Sequence, residues 1–116
     1  MAMNEAPQEL RLSKKGDTLM VVFADTPYPM SAEYLRVCSP SAEVRGHGED
    51  WKTIGGKKEV VIRAIIPVGQ YAVRLMFSDG HNSGLYSWPV LHDLATNQEH
   101  YWQRYLTALK EKGASR

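Results

Sequence analysis

The stretch Val60–Ser87, which reads VVIRAIIPVGQYAVRLMFSDGHNSGLYS, decides the fold. Its first seven residues are mostly apolar and predict a strand, and the following PVGQ predicts a turn. Large apolar residues then alternate with others through Tyr71–Phe77, which indicates a second strand. Asp79-Gly80 is a strong hairpin signal because glycine readily adopts positive φ. With Asn82–Ser87 as the returning strand, this stretch predicts an antiparallel sheet.

A further hairpin is predicted nearer the N-terminus. Leucines alternate with polar residues in Leu10–Ser13, and Thr18–Phe23 is an almost uninterrupted apolar run. The turn-forming residues Lys14–Asp17 lie between them. Pro27 and Pro29 follow, and we expect them to break the extended run because proline cannot donate a ladder hydrogen bond.

Two serines predict the starts of short helices. The Ser31 hydroxyl can accept a hydrogen bond from the first turn of a helix over Ala32–Val37. Ser87 can do the same for a helix that ends near Leu94, and Pro89 suits a first helical turn because its missing N–H is not needed there.

The C-terminal residues predict a helix of about four turns. Thr96 and Glu99 have the spacing of a capping box, and Gly113 suits the position after a helix. Between them lies an apolar stripe at helical spacing, formed by Tyr101, Trp102, Tyr105, Leu106 and Leu109. The predicted fold is therefore α+β: a small antiparallel sheet from two hairpins, with short helices and a long C-terminal helix.

Composition places the chain among ordinary globular proteins. It has 116 residues, 43% of them hydrophobic and 23% charged, with a formal net charge of +1. We expect a disordered N-terminus over residues 1–9 and a single domain over residues 10–113. The flat charge balance argues against nucleic acid as a partner. No apolar run approaches the ~20 residues that span a membrane, and residues 1–10 do not resemble a signal peptide. We therefore expect a cytoplasmic monomer.

The motifs that could carry chemistry are incomplete. Cys38 is the only cysteine, which excludes an internal disulfide and a zinc site of paired cysteines. His47-Gly48-Glu49 has the spacing of the first histidine and the carboxylate in the iron site of two histidines and one carboxylate. Such a site needs a rigid barrel to bring its three ligands together. Gly55-Gly56-Lys57-Lys58 lacks the earlier glycine and the following Ser or Thr of a phosphate loop. The sequence therefore predicts no enzyme and no cofactor.

Two loops are the predicted partner-binding region. Arg45–Glu59 is rich in glycine and charge, and Asp79–Asn82 is the tip of a hairpin. Binding residues concentrate in loops on a rigid scaffold. Trp51, His47 and His81 are the side chains there without an obvious place in the core, so we predict that they contact an unidentified protein partner.

Two segments carry a resemblance to a known family. They are Tyr34–Val44, followed by Gly46-His47-Gly48, and Gly69–Trp88 with its YAVRLMFSDGH motif. Together they resemble the small domain that precedes the catalytic barrel in gamma-butyrobetaine hydroxylase and trimethyllysine dioxygenase. The chain looks closest to the stand-alone bacterial branch of unknown function, DUF971. Similar domains are attached to P-loop ATPases of the iron–sulfur carrier type. The resemblance covers about Leu10–Leu94.

The resemblance implies a zinc site whose ligands are mostly missing. In the hydroxylases this domain binds a structural zinc through three cysteines and a histidine. The cysteine positions fall here on Ser39, Ser41 and Val44, and the histidine position falls on His81. Neither a neutral serine nor a valine replaces a thiolate. The side chains that could still contribute to a metal site are His81, Cys38 and His47.

The resemblance therefore implies a non-enzymatic accessory or protein-interaction module that folds without metal. The catalytic barrel of the hydroxylases is missing from the matched region, so their oxygenase activity does not transfer. The alternative that the resemblance leaves open is a metal-handling or iron–sulfur-related accessory protein.

Overall fold

The computed structural model describes residues 6–40, 55–82 and 84–116, which within these ranges form six strands and three helices. The strands are β1 (Glu9–Leu12), β2 (Thr18–Phe23), β3 (Thr26–Ser31), β4 (Ile62–Val68), β5 (Ala72–Phe77) and β6 (Leu85–Ser87). The helices are α1 (Ala32–Val37), α2 (Trp88–Thr96) and α3 (Gln98–Lys112). The predicted α+β class and the C-terminal helix are confirmed.

The strands form two sheets rather than one. β1-β2-β3 and β4-β5-β6 are separate three-stranded antiparallel sheets. They meet where the Ile62 amide donates to the Gly16 carbonyl oxygen at 2.8 Å. Gly16 has a φ of 81°, and a Cβ there would lie 2.5 Å from the Ile62 carbonyl oxygen. The junction between the sheets therefore requires glycine at this turn.

The expectation that Pro27 and Pro29 end the extended structure is wrong. Both lie within β3, opposite Val22 and Met20 of β2. β3 is an edge strand, and alternate residues of a strand direct their backbone groups to the same side. Both proline nitrogens can therefore face the free edge, where no ladder donor is needed.

The second hairpin follows the predicted order with shifted boundaries. β4 begins two residues later than predicted and continues through Pro67 to Val68. Gly80 has a φ of 91°, and its amide donates to the Phe77 carbonyl oxygen at 3.0 Å, so the predicted turn is present. The returning strand β6 is short and pairs only with the first half of β5.

The predicted capping serines begin their helices. Ser31 Oγ accepts from the Tyr34 amide at 3.0 Å, and Ser87 Oγ accepts from the Val90 amide at 3.4 Å. The capping box at Thr96 is wrong, because Thr96 is the last residue of α2 and its hydroxyl donates to the His92 carbonyl oxygen. α2 therefore runs on past its predicted end, and Asn97 joins it directly to α3.

The core lies between the sheets and the helices. Tyr34 and Tyr86 are its largest fully buried side chains. The Tyr34 hydroxyl donates to the Leu94 carbonyl oxygen at 2.7 Å, and the Tyr86 hydroxyl donates to the Leu35 carbonyl oxygen at 2.6 Å. These bonds satisfy the only polar atom of each ring and tie α1 to α2 and to β6.

Both ends of the described chain contact the domain. The Gln8 amide donates to the Val22 carbonyl oxygen at 2.7 Å, and Glu9 begins β1. Residues 1–5 lie outside the described residues, and the disordered N-terminus stays a prediction. In α3, Tyr105 and Leu109 are buried and the other stripe residues are half-buried. None of the helices in the described ranges is long and apolar enough to cross a membrane.

Candidate functional site

A buried pair of polar side chains lies between α1 and the β5–β6 hairpin. Ser39 Oγ and His81 Nε2 are 3.0 Å apart, and the two residues are 0% and 6% exposed. These residues stand at two of the four positions to which the family resemblance assigns zinc ligands. The structure thus brings the first and last of those positions together as a direct hydrogen bond.

The prediction that His81 has no place in the core is wrong. Its amide donates to Asp79 Oδ1 at 3.1 Å, and its carbonyl oxygen accepts from the Phe77 amide at 3.0 Å. These bonds turn the ring inward, where its centroid lies 6.1 Å from that of Phe77. The His81 side chain is therefore buried, and its predicted contact with a partner stays untested.

Gly84 provides the room for this pair. A Cβ at this position would lie 2.4 Å from Ser39 Oγ and 3.1 Å from Tyr86 Cε1. Ser39 is held just after α1, where its amide donates to the Arg36 carbonyl oxygen at 3.4 Å. A glycine just before β6 therefore lets the backbone approach the serine closely.

Asp79 braces the same hairpin from outside. Its Oδ2 accepts from Arg36 Nε at 2.8 Å and from Lys57 Nζ at 2.6 Å. Burial acts to raise the pKa of Asp79, but the hydrogen bonds from Lys57, the His81 amide and Arg36 outweigh it, and the pKa falls from 3.8 to about 2. Asp79 therefore fastens the hairpin tip to α1 and to the segment before β4.

The sequence explains Asp79 only as a turn residue, so this role was missed. A signal was available, because Arg36 and Asp79 each lie in one of the two segments that carry the family resemblance. One guanidinium nitrogen, Arg36 Nη1, is buried without a hydrogen-bond partner in the described part of the chain. The guanidinium is thus held by packing as well as by the carboxylate.

Acid should remove the contribution of Asp79 to stability. Since its pKa is lower in the folded than in the unfolded chain, ionised Asp79 stabilises the fold above pH about 4, and this contribution is lost as the pH falls towards about 2. We expect Asp79→Asn to show a smaller loss of unfolding free energy over this range than the wild type, measured by urea titration. Glu111→Gln, on the exposed side of α3, is the control. Parallel pH curves for Asp79→Asn and the wild type would contradict the assignment.

A second polar cluster fastens the C-terminal residues to α1. Glu33 is 5% exposed, and its carboxylate accepts from Arg116 Nη2 at 2.7 Å and Nε at 2.9 Å. The Tyr105 hydroxyl lies 3.3 Å from Glu33 Oε2. Burial, with the Glu33 charge second, raises the pKa of Tyr105 to about 12. The Arg116 guanidinium also lies 5.2 Å from the Trp102 ring centroid.

A separate concave feature is an open cavity of about 370 Å³ at the N-terminal end of α1. Its lining residues are Ser31, Tyr34, Gln98, Glu99 and Trp102. The Ser31 hydroxyl caps α1 and the Tyr34 hydroxyl is bonded to Leu94, so neither is arranged as a nucleophile with a base. The cavity lies at the other end of α1 from Ser39 and His81.

Several predicted site residues lie outside the described residues, namely His47, Trp51 and the Ser41 and Val44 positions of the resemblance. Cys38 is described and is 1% exposed. In residues 6–40, 55–82 and 84–116, no three His, Cys, Asp or Glu side chains come together as a group that could hold a metal ion. The structure therefore supports the pairing of Ser39 with His81 but no larger ligand set in these ranges.

Comparison with known proteins found a matching family and similar solved structures. The family described as "Gamma-butyrobetaine hydroxylase-like, N-terminal" matches residues 10–92. A solution NMR structure is 43% identical with a TM-score of 0.84, over 96% of this chain and 89% of that chain. A second is 49% identical with a TM-score of 0.81, over 96% and 84%.

A crystal structure from Acidithiobacillus ferrooxidans ATCC 23270 is also similar. It shows a protein of unknown function of the DUF971 family, 33% identical with a TM-score of 0.65, over 82% of this chain and 97% of that chain. No curated protein matches the chain.

Proposed function

Since this chain belongs to the gamma-butyrobetaine hydroxylase-like N-terminal domain family, and resembles a stand-alone DUF971 protein of unknown function, we propose that it is a non-enzymatic protein-interaction or accessory module. The matching family is described by its likeness to an N-terminal domain, and the DUF971 protein is described as having unknown function. Function must therefore be argued from the residues of this chain.

The observation that carries the proposal is the buried hydrogen bond between Ser39 and His81. A zinc ion would need thiolate or imidazole ligands at about 2.0–2.3 Å, drawn from four converging positions. Here a neutral hydroxyl lies 3.0 Å from His81 Nε2, and Gly84 lets the backbone close over the pair. This arrangement supports a structural role for the position that the resemblance gives to zinc.

The other buried polar groups also support a scaffold role. Asp79 is bonded to Arg36 and Lys57, and Glu33 is bonded to Arg116 and Tyr105. Such bonds are what a small domain needs to hold its hairpins and helices in place. We retain Arg45–Glu59, with Trp51 and His47, as a proposed contact region because a rigid scaffold presents its binding residues on loops.

The proposal predicts that removing metal changes neither folding nor partner binding. Untagged chain should hold zinc and iron at well below one atom per molecule by elemental analysis. After EDTA treatment the chain should keep its dispersed amide NMR spectrum. When it is returned to a lysate of its own cells, it should also form the same complex as the untreated chain.

Size-exclusion chromatography compares the complexes formed by the EDTA-treated and the untreated chain. An EDTA-treated chain to which Zn²⁺ has been added back is the control. Stoichiometric metal together with unfolding in EDTA would contradict the proposal, because the metal-binding free energy would then be folding free energy. That result would favour the metal-handling alternative.

A further inference from the structure

One face of the β4-β5-β6 sheet carries an exposed row of side chains. Ile66 lies opposite Arg74, and Arg74 lies opposite Leu85. Directly opposed residues of antiparallel strands project from the same face. The other face of β5 and β6 carries Val73, Leu75 and Tyr86, which are all buried in the core. The row Ile66–Arg74–Leu85 therefore lies on the face turned away from the core.

This row is apolar at both ends and charged at its centre. Ile66 is 40% exposed and Leu85 is 37% exposed, and they are two of the three large hydrophobic residues exposed in the described ranges. Arg74 is also exposed, and it has no ion pair or hydrogen bond to another side chain in residues 6–40, 55–82 and 84–116.

The rows on either side add no charge. They contain the pair Ala64–Met76 and the trio Val68–Ala72–Ser87. Arg74 is thus the single charged side chain that β4, β5 and β6 place in these three rows. An arginine within an apolar surround is typical of the energetic centre of a protein interface.

We propose that the Arg74 surface, defined as Ile66, Arg74 and Leu85, docks a different protein that presents a carboxylate within an apolar patch. This inference rests on the proposed interaction function and names the surface and the chemistry of its partner. Covering an unpaired guanidinium with apolar atoms alone would be unfavourable, because its desolvation would not be compensated. A carboxylate at the centre compensates it with a bidentate pair, while Ile66 and Leu85 exclude water.

The same charge argument disfavours other occupants. A second copy meeting this face about a two-fold axis would bring two Arg74 side chains together, and the three rows contain no carboxylate to separate them. Nucleic acids and anionic membranes attract stripes of several basic residues. The Arg74 surface has one guanidinium in an apolar surround.

Photo-cross-linking in the native cell tests this surface. The full chain carries p-benzoylphenylalanine at position 66 or 85. Position 103, on the exposed side of α3, is the control, and position 51 probes the other proposed contact region, Arg45–Glu59. We expect one heterologous protein to be cross-linked at 66 and 85 but not at 103. Mass spectrometry should place the cross-link beside an Asp or Glu of that protein.

Charge reversal supplies the second readout. Arg74→Glu should lower the cross-linking yield at position 85 about tenfold or more, and Arg74→Lys should lower it less. When an Asp or Glu of the partner is changed to Lys, the yield of the Arg74→Glu chain should be restored. Neither Arg74 variant should change the melting temperature, because the side chain is exposed. Arg74→Gln replaces the charge reversal if Arg74→Glu fails to fold.

The outcomes separate the surface from the function. A cross-linked protein at 51 alone overturns the Arg74 surface and leaves the interaction function standing. Cross-links at none of 51, 66 and 85 overturn both. The proposed carboxylate partner is overturned if position 66 or 85 cross-links to a second copy, to lipid or to nucleic acid. It is also overturned if the cross-link is unaffected by both Arg74→Glu and Arg74→Gln.

Discussion

A chain that lacks residues 97–116 is expected to lose cooperative folding altogether. This deletion removes α3 and with it the buried side chains of Tyr105 and Leu109, each worth about 1.5–3 kcal/mol of burial. It also strips Glu33, which is 5% exposed, of both Arg116 and Tyr105. The deletion also uncovers Glu33, so hydration offsets part of this loss, which is smaller than the cost of about 3–5 kcal/mol for a carboxylate that stays buried without a partner. Together these losses approach the whole stability of a small domain, about 5–15 kcal/mol.

Circular dichroism during thermal unfolding, with the near-ultraviolet signal of the aromatic residues, measures this effect. We expect a sloping melt without a transition and a weak near-ultraviolet signal. In the full-length chain, Leu109→Ala should lower the free energy of unfolding by about 2–5 kcal/mol, while its neighbour Lys110→Ala, which is exposed, serves as the matched control. A truncated chain that melts cooperatively at the wild-type temperature would show that α3 is not part of the core.

Gly84→Ala is expected to destabilise the fold through a specific collision. Its new Cβ would lie 2.4 Å from Ser39 Oγ and 3.1 Å from Tyr86 Cε1, and both neighbours are fully buried. Overpacking of this kind costs about 1–3 kcal/mol. If the serine hydroxyl moves away from the methyl group, we expect it to lose its hydrogen bond with His81 Nε2.

A double-mutant cycle with Ser39→Ala identifies the cause. Ser39→Ala alone should cost about 1–3 kcal/mol, because it removes one hydrogen bond of a buried imidazole. The double variant should cost clearly less than the sum of the two single variants, since the alanine at 39 makes room for the methyl group at 84. Gly80→Ala is the control. The φ of 91° at Gly80 makes alanine unfavourable there although no atom lies near its Cβ, so Ser39→Ala should not reduce the loss of stability. Additive losses at positions 39 and 84 would disprove the collision.

The features predicted correctly are those whose cause lies within a few residues. Ser31 and Ser87 begin helices because a hydroxyl reaches an amide three residues later. Gly113 ends α3 with a φ of 69°, which glycine adopts without strain. The apolar run Thr18–Phe23 forms the predicted strand, β2. Local hydrogen bonding, backbone freedom and local apolar content are sufficient for each of them.

The incorrect local predictions involve competition with neighbouring elements. Pro27 and Pro29 break strands in general, but they are accommodated in β3 because β2 pairs with its other edge. Thr96 and Glu99 match the capping box, but α2 extends through Thr96 and leaves the threonine hydroxyl bonded to a carbonyl oxygen of its own helix. In both cases the local pattern permits two structures, and packing selects one.

The sequence by itself determined the fold class, the capped helices and the family to which the chain belongs, because these follow from local patterns and motifs. Only the tertiary structure decided the polar clusters. Ser39 and His81 are 42 residues apart, Arg36 and Asp79 are 43 apart, and Glu33 and Arg116 are 83 apart. It also decided that His81 points inward while Arg74 stays at the surface. The physical reason is that either face of a strand can be buried, and only the packing of the whole chain determines which face the core covers.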